Sequence, residues 1–427
     1  MGQSRFNHDR REWLRWSSAG LLTTASVPWF ELLAEGARRQ GGQPAKACIL
    51  LWMDGGPSQQ HTFDPKPRGE YGSIPTVVPG THVCEYLPQM AQVMDDVALI
   101  RSMSTGEGDH YRAKYYLHTG YQRVGGFEHP AIGCITSHEN GDRRNHLPSF
   151  VTIDAGYDKG NGGRLYRSVP AYLGPHHAPL AVRNPATGLE NQPPDPRDAE
   201  LQRRLRLLAG GERRFAAEYP LSLVRQKQTA FQRAAALMQS EAATAFDVDH
   251  EPASLRAAYG EHRFGKACLM ARRLVERGAS FVEIFHRGWD DHEGAAKRIK
   301  PRMSWMDPAM ATLIRDLKSR GLLERTLIIW MGEFGRGPIN GKDHYARAWT
   351  TLLAGAGLKT GQVIGKTDEK TRHTGGTVVD RPVSVPDFFA TVCQALDIDP
   401  GKEFHAAGDR PMRVVDSGGA PITELFA

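Results

Sequence analysis

A chain of 427 residues with 40% hydrophobic and 24% charged residues is ordinary globular material, enough for one large α/β domain or two smaller ones. The 54 Lys and Arg exceed the 48 Asp and Glu by six, and residues 1–40 supply two of that excess. A surplus this mild, with no basic stripe interleaved with aromatics, excludes a nucleic-acid-binding face and suits an anionic substrate.

The first 40 residues read as a leader. Arg10-Arg11-Glu12-Trp13-Leu14-Arg15 precedes an uncharged stretch over residues 16–30 that holds several small side chains. This order resembles a twin-arginine signal, and it predicts export by that machinery to the periplasm or cell surface. An amphipathic helix with a chance Arg pair is the alternative. The stretch is shorter than the ~20 residues that span a bilayer, and no later segment qualifies, so no transmembrane span is expected in the mature chain. Cys48, Cys84, Cys134, Cys268 and Cys393 form no Cys-x-x-Cys pair, and Cys48 and Cys268 read as small core residues.

Ala47-Cys48-Ile49-Leu50-Leu51-Trp52-Met53 is an apolar run that stops at Asp54-Gly55-Gly56-Pro57-Ser58. Such a run predicts a strand buried on both faces, with Asp54 at its carboxyl end, where open α/β sheets bind ligands. Asp54 is there a metal ligand or a turn cap. A polar, proline-rich segment follows, including Thr62, and suits an ordered wall of a site. A helix-like segment with Leu87, Met90 and Val93 then leads to a second strand, Val97-Ala98-Leu99-Ile100-Arg101.

Asp109 is placed as a helix N-cap and Gly120 just past the helix end, which puts His110 in the first turn. His110 is thereby a nucleophile, an acid or base, a metal ligand, or a polar residue of no chemical consequence. Phe150-Val151-Thr152-Ile153-Asp154 reads as a strand. Residues 193–251 turn Arg-, Leu-, Ala- and Gln-rich with Leu221, Val224, Phe231, Ala235 and Met238 at helical spacing, predicting a helical excursion without a role in chemistry. One helix is expected over residues 254–277. Ala279-Ser280-Phe281-Val282-Glu283-Ile284-Phe285 is a third buried strand and runs into Gly288-Trp289-Asp290-Asp291-His292. Asp290 and His292, two apart, point to one side in extended backbone and can share a cation. Thr326-Leu327-Ile328-Ile329-Trp330-Met331 is a fourth strand, followed by Gly332-Glu333-Phe334-Gly335-Arg336 and then Asp343-His344, and a last helix is read over 385–396.

Three strands thus end in the carboxylates Asp54, Asp290 and Glu333 on one expected sheet edge. With His292 and His344 they offer hard and borderline donors for one or two divalent ions among Zn²⁺, Mn²⁺, Mg²⁺ and Ca²⁺. Two ions about 4 Å apart would clamp a phosphoryl or sulfuryl group. Arg336 is available to hold an anionic oxygen, or to pair structurally with Glu333 or Asp343.

These motifs, together with Thr62-Phe63-Asp64-Pro65-Lys66-Pro67, Thr367-Asp368, Arg381-Pro382, Asp387 and Ile422-Thr423-Glu424-Leu425-Phe426, resemble the family called domain of unknown function 1501, within the alkaline-phosphatase-like superfamily of sulfatases and phosphatases. The resemblance covers nearly the whole chain. It implies one domain over 45–427, a three-layer α/β sandwich with a mostly parallel sheet and helices on both faces. It further implies that Asp54 and Glu333 serve one metal, and Asp290, His292 and His344 the other. Leu117-His118-Thr119-Gly120 matches the end of the nucleophile helix of sulfatases and sets His110 where those have Cys or Ser. His110 then forms a phospho-enzyme, or binds metal while water or Thr62 attacks, or hydrolysis is lost. Phe334 stands where phosphatases of the superfamily have a metal-binding His. The expected activity is exported, metal-dependent hydrolysis of phosphate or sulfate monoesters, with anionic glycans among the substrates; a non-catalytic metal-containing binder of an anionic glycan or surface partner is the alternative.

Overall fold

Alternation of side chains along buried strands builds this molecule from a central sheet outward. A computed structural model describes residues 46–426 except 68, 70, 143, 158–167, 191–197, 220, 338–341, 370–375 and 407, so the expected leader lies outside the described residues. Nine strands form the main sheet: β1 (Ala47–Asp54), β2 (Val97–Ser104), β3 (Phe150–Tyr157), β4 (Leu180–Val182), β5 (Phe281–Arg287), β6 (Thr326–Met331), β7 (Trp349–Gly355), β8 (Gln362–Ile364) and β9 (Val383–Ser384). Their order is β8-β2-β7-β6-β1-β5-β3-β4, with β9 also beside β2. All pairings are parallel except those of β7, which runs antiparallel to β2 and β6.

The longer helices are α1 (His110–Thr119), α2 (Ile132–Asn140), α3 (Ala199–Glu218), α4 (Ser222–Met238), α5 (Ala253–Tyr259), α6 (Arg263–Glu276), α7 (Ala295–Ser319) and α8 (Val385–Ala395). Every residue of β1 is buried, because helices cover both faces of the sheet. Ile49, Leu51 and Met53 pack with Phe264 and Leu274 of α6 and with Met303 and Ile314 of α7. Cys48, Leu50 and Trp52 face the opposite way, toward Leu117 of α1, Ile135 of α2 and Phe388 and Val392 of α8. The expected α/β class, a mostly parallel sheet between helical layers, is what the chain adopts. α3 and α4 lie within the stretch over residues 193–251, and all five cysteines are buried free thiols.

The single helix expected over residues 254–277 is instead two. Gly260 adopts φ +85° and ψ 156° between α5 and α6, an extended positive-φ conformation open to glycine that ends one helix and redirects the next. β7, β4 and β8 were not read as strands. The described helices include none long and apolar enough to cross a membrane.

The fold brings the three acidic strand ends level. β6, β1 and β5 are adjacent and parallel, Asp54 lies opposite Arg287 of β5, and Trp52 lies opposite Met331 of β6. The loops carrying Asp54, Asp290 and Glu333 therefore leave the sheet at one edge.

Candidate metal centre

The site is assembled where α1 begins above that edge. The Asp109 carboxylate accepts the Arg112 N–H at 3.0 Å, and Gly120 at φ +76° closes the helix, as the sequence indicates. His110, Lys114 and His118 recur every four residues and share one face of α1. Each meets carboxylates from the sheet: His110 meets Asp290 and Glu333, Lys114 meets Asp54 and Glu333, and His118 meets Glu283 at 2.9 Å.

Four side chains converge as a group that could hold a metal ion: one donor atom from each of His110, Asp290, His292 and His344 lies within 4.8 Å of the others. Asp290 Oδ1 is the hub, 3.1 Å from His110 Nε2, 2.9 Å from His292 Nε2 and 3.5 Å from His344 Nε2. The outer atoms of two rings are committed elsewhere. His110 Nδ1 sits 2.6 Å from Glu333 Oε1, and His344 Nδ1 sits 2.8 Å from the Gly108 carbonyl oxygen. An acceptor on Nδ1 fixes the proton there and turns the Nε2 lone pair inward, the arrangement metal-binding histidines adopt. Both Nε2 atoms are buried without a hydrogen-bond partner of acceptable geometry. Buried polar atoms left in this way call for an explanation, and a shared cation supplies one. The residues present therefore fit a divalent ion.

Electrostatics agree. Burial pulls the His110 imidazole down, but Asp290 and Glu333 more than offset it and push it up to about 9, the mark of a strongly negative pocket. Burial likewise works against the Asp290 carboxylate, yet the facing His110 and His344 rings and the Arg336 guanidinium hold it well below the usual range.

Asp54 and Glu333 stand outside the four-residue group. Glu333 is fully buried; its two oxygens each accept the Gly55 N–H at 3.0 Å, and its Oε1 faces His110. Asp54 Oδ1 lies 2.5 Å from Lys114 Nζ. Arg336 is 1% exposed, and its donors are spent on the Gly55, Gly56 and Lys342 carbonyls and on Asp290 Oδ1, the last at 2.6 Å. It pairs with Asp290 and with neither Glu333 nor Asp343, and its geometry is that of a residue that orients a carboxylate. Thr62 has a local partner: its buried hydroxyl donates to the Ser58 carbonyl at 2.9 Å, closing a turn. Gln59 from the same segment clasps Arg336, accepting its N–H at 2.9 Å and donating to its carbonyl at 3.1 Å. Phe334 stacks on His344 at 4.6 Å and lies 4.9 Å from His110, bracing the two rings. Asp291, next to the hub, turns inward to Arg298 and Arg302.

Lys114 escaped the sequence reading. Its signal was the four-residue spacing from His110, which places it on the same helix face one turn deeper.

Gly55 lets the loops close. Its φ is +123°, and a Cβ there would fall 2.1 Å from the Asp290 nitrogen and 2.5 Å from the Trp289 carbonyl carbon. Gly55→Ala is expected to destabilise the fold by about 2–3 kcal/mol, read by denaturant unfolding, because left-handed strain adds to a backbone clash.

Solved structures similar to the chain include a sulfatase from Pseudoalteromonas sp., 12% identical over 87% of this chain and 72% of its own, TM-score 0.37. A phosphonate monoester hydrolase of Agrobacterium radiobacter is 12% identical over 89% and 77%, TM-score 0.33. A protein in the alkaline phosphatase superfamily from Vibrio parahaemolyticus is 11% identical over 84% and 67%, TM-score 0.35. No curated protein matches significantly. The family described as "Protein of unknown function (DUF1501)" matches residues 45–426, and the chain belongs to that family.

Proposed function

We propose that this protein is an exported metal-dependent hydrolase of phosphate or sulfate monoesters, with anionic glycans among its substrates. One observation carries the reading: the buried Nε2 atoms of His110 and His344 lack hydrogen-bond partners and face Asp290, with His292 beside them, at the carboxyl edge of a mostly parallel sheet. Three imidazoles and one carboxylate favour Zn²⁺ or Mn²⁺ over Mg²⁺ and Ca²⁺, which prefer all-oxygen sites. When bound, such an ion polarises an ester oxygen and lowers the pKa of a water.

The chain's own residues prepare that chemistry. Glu333 and the Gly108 carbonyl hold His110 and His344 in the ligating tautomer. Arg336 fixes Asp290 from below. His292, half exposed, stands at the solvent side, where an ester would arrive. His110 acts as a ligand in this reading, and water is the attacking group, since Thr62 is committed to its local turn. The uncharged stretch behind Arg10-Arg11 supports export by the twin-arginine route to the periplasm or cell surface.

The same observation about Thr62, with every cysteine buried, also favours a second reading: a metal-containing protein that binds an anionic glycan without turning it over. Chelation followed by assay separates them. Metal-free protein is expected to lose hydrolysis of p-nitrophenyl phosphate and p-nitrophenyl sulfate at least 100-fold and to regain it with Zn²⁺ or Mn²⁺. Full turnover without metal would sink the hydrolase mechanism, and metal-dependent glycan binding without turnover would establish the second reading.

A further inference from the structure

Buried carboxylates close to one another require a compensating cation, because charge removed from water without a partner costs several kcal/mol. At Asp54 and Glu333 that cation belongs to the chain. Lys114 Nζ lies 2.5 Å from Asp54 Oδ1 and 3.8 Å from Glu333 Oε1. The three residues are 7%, 5% and 0% exposed, in the order Lys114, Asp54, Glu333.

The surrounding bonds leave little for another ion. Glu333 accepts the Gly55 N–H on both oxygens and has His110 Nδ1 at 2.6 Å. Asp54 Oδ1 also receives the Trp52 indole N–H at 3.4 Å. Imidazole is the donor that complements carboxylates in borderline-metal sites, and among the described residues the ring paired with these two carboxylates is His110, whose Nδ1 faces Glu333. His110 Nε2, by contrast, points to Asp290.

We infer that the Lys114 ammonium takes the place of a second metal ion between Asp54 and Glu333, so that a single divalent ion is held, at Asp290. The inference rests on reading the His110, Asp290, His292 and His344 group as a metal centre. A tethered ammonium differs from a metal ion in two ways: it carries one positive charge, and it cannot be removed by chelation. The Asp54–Glu333 side of the site therefore keeps its structure when the divalent ion is lost, and it contributes position and charge but no open coordination site.

Counting bound metal tests this. Wild-type protein, Lys114→Gln and Lys114→Arg are stripped with chelator, loaded with excess Zn²⁺ or Mn²⁺, freed of loose ion by desalting, and analysed by elemental mass spectrometry, with thermal unfolding as the check on folding. Lys114→Gln is expected to bind one ion more per chain than the wild type, and Lys114→Arg the same number as the wild type. Equal counts in the wild type and folded Lys114→Gln, or two ions in the wild type, overturn the inference. If Lys114→Gln unfolds when stripped, added metal is expected to restore cooperative unfolding with the extra ion bound, and failure to restore it counts against the inference. A wild-type count of zero beside a count of one in Lys114→Gln would support the role of Lys114 while removing the metal centre at Asp290, so the two readings fail separately.

Discussion

Asp290→Asn is expected to abolish metal-dependent hydrolysis and to weaken divalent-ion binding by more than the about 10–100-fold typical of changes behind a ligand. Asp290 Oδ1 is the one oxygen facing all three imidazoles of the group, so an amide there removes the only carboxylate among the four residues. The substitution also strands Arg336, a fully buried guanidinium that now ends on Asp290 at 2.6 Å. Breaking a buried pair costs about 3–5 kcal/mol. Asp290 is a third open to solvent, so its loss of stability should fall at or below the lower end of that range. Titration calorimetry with Zn²⁺ gives the affinity, and denaturant unfolding of the metal-free protein gives the stability. An Asp290→Asn protein that still binds Zn²⁺ with wild-type affinity would remove the metal centre from this edge of the sheet.

Glu333→Gln should do its main damage to stability. The carboxylate is wholly buried and serves three neighbours at once: the Gly55 N–H, His110 Nδ1 and, at 3.8 Å, Lys114 Nζ. All three are donors. An amide nitrogen placed among them meets at least one donor head-on, and the buried Lys114 ammonium loses half of its compensation. About 3–5 kcal/mol of stability is expected to go. Metal affinity should fall about 10–100-fold in addition, because the tautomer of His110 is no longer fixed. A residue that only packs would leave that affinity alone. Adding Lys114→Met to Glu333→Gln is expected to recover about 0.5–3 kcal/mol, the coupling usual between groups in contact. If the two losses simply added, the proposed charge partnership between Lys114 and Glu333 would be wrong.

Much of this site could be read from the chain alone, and particular residues show why. β1 is legible because a strand covered on both faces must be apolar at every position, and its end is legible because Asp54-Gly55-Gly56-Pro57 breaks the run abruptly. α1 is legible because Asp109 and Gly120 satisfy the backbone groups that any helix leaves unpaired at its ends. β7 was overlooked. Its Trp349-Thr350-Thr351-Leu352-Leu353-Ala354-Gly355 run earns its place from pairing with β2 and β6, hundreds of positions away in one case, and local composition carries no record of that. The break at Gly260 was overlooked for a related reason, since apolar spacing continues through it and only the path of α6 across the sheet requires the turn.

The sequence by itself determined which chemistry stands at the sheet edge: carboxylates close three neighbouring strands, and a histidine opens the helix above them. Tertiary structure decided which cation each carboxylate meets. Asp54, Asp290 and Glu333 are equivalent as ends of apolar runs, but Lys114 reaches the first and third, while His110, His292 and His344 gather around the second. That division follows from where one face of α1 lands on the strand edge, and Coulomb energy depends on distances that helical spacing alone does not set.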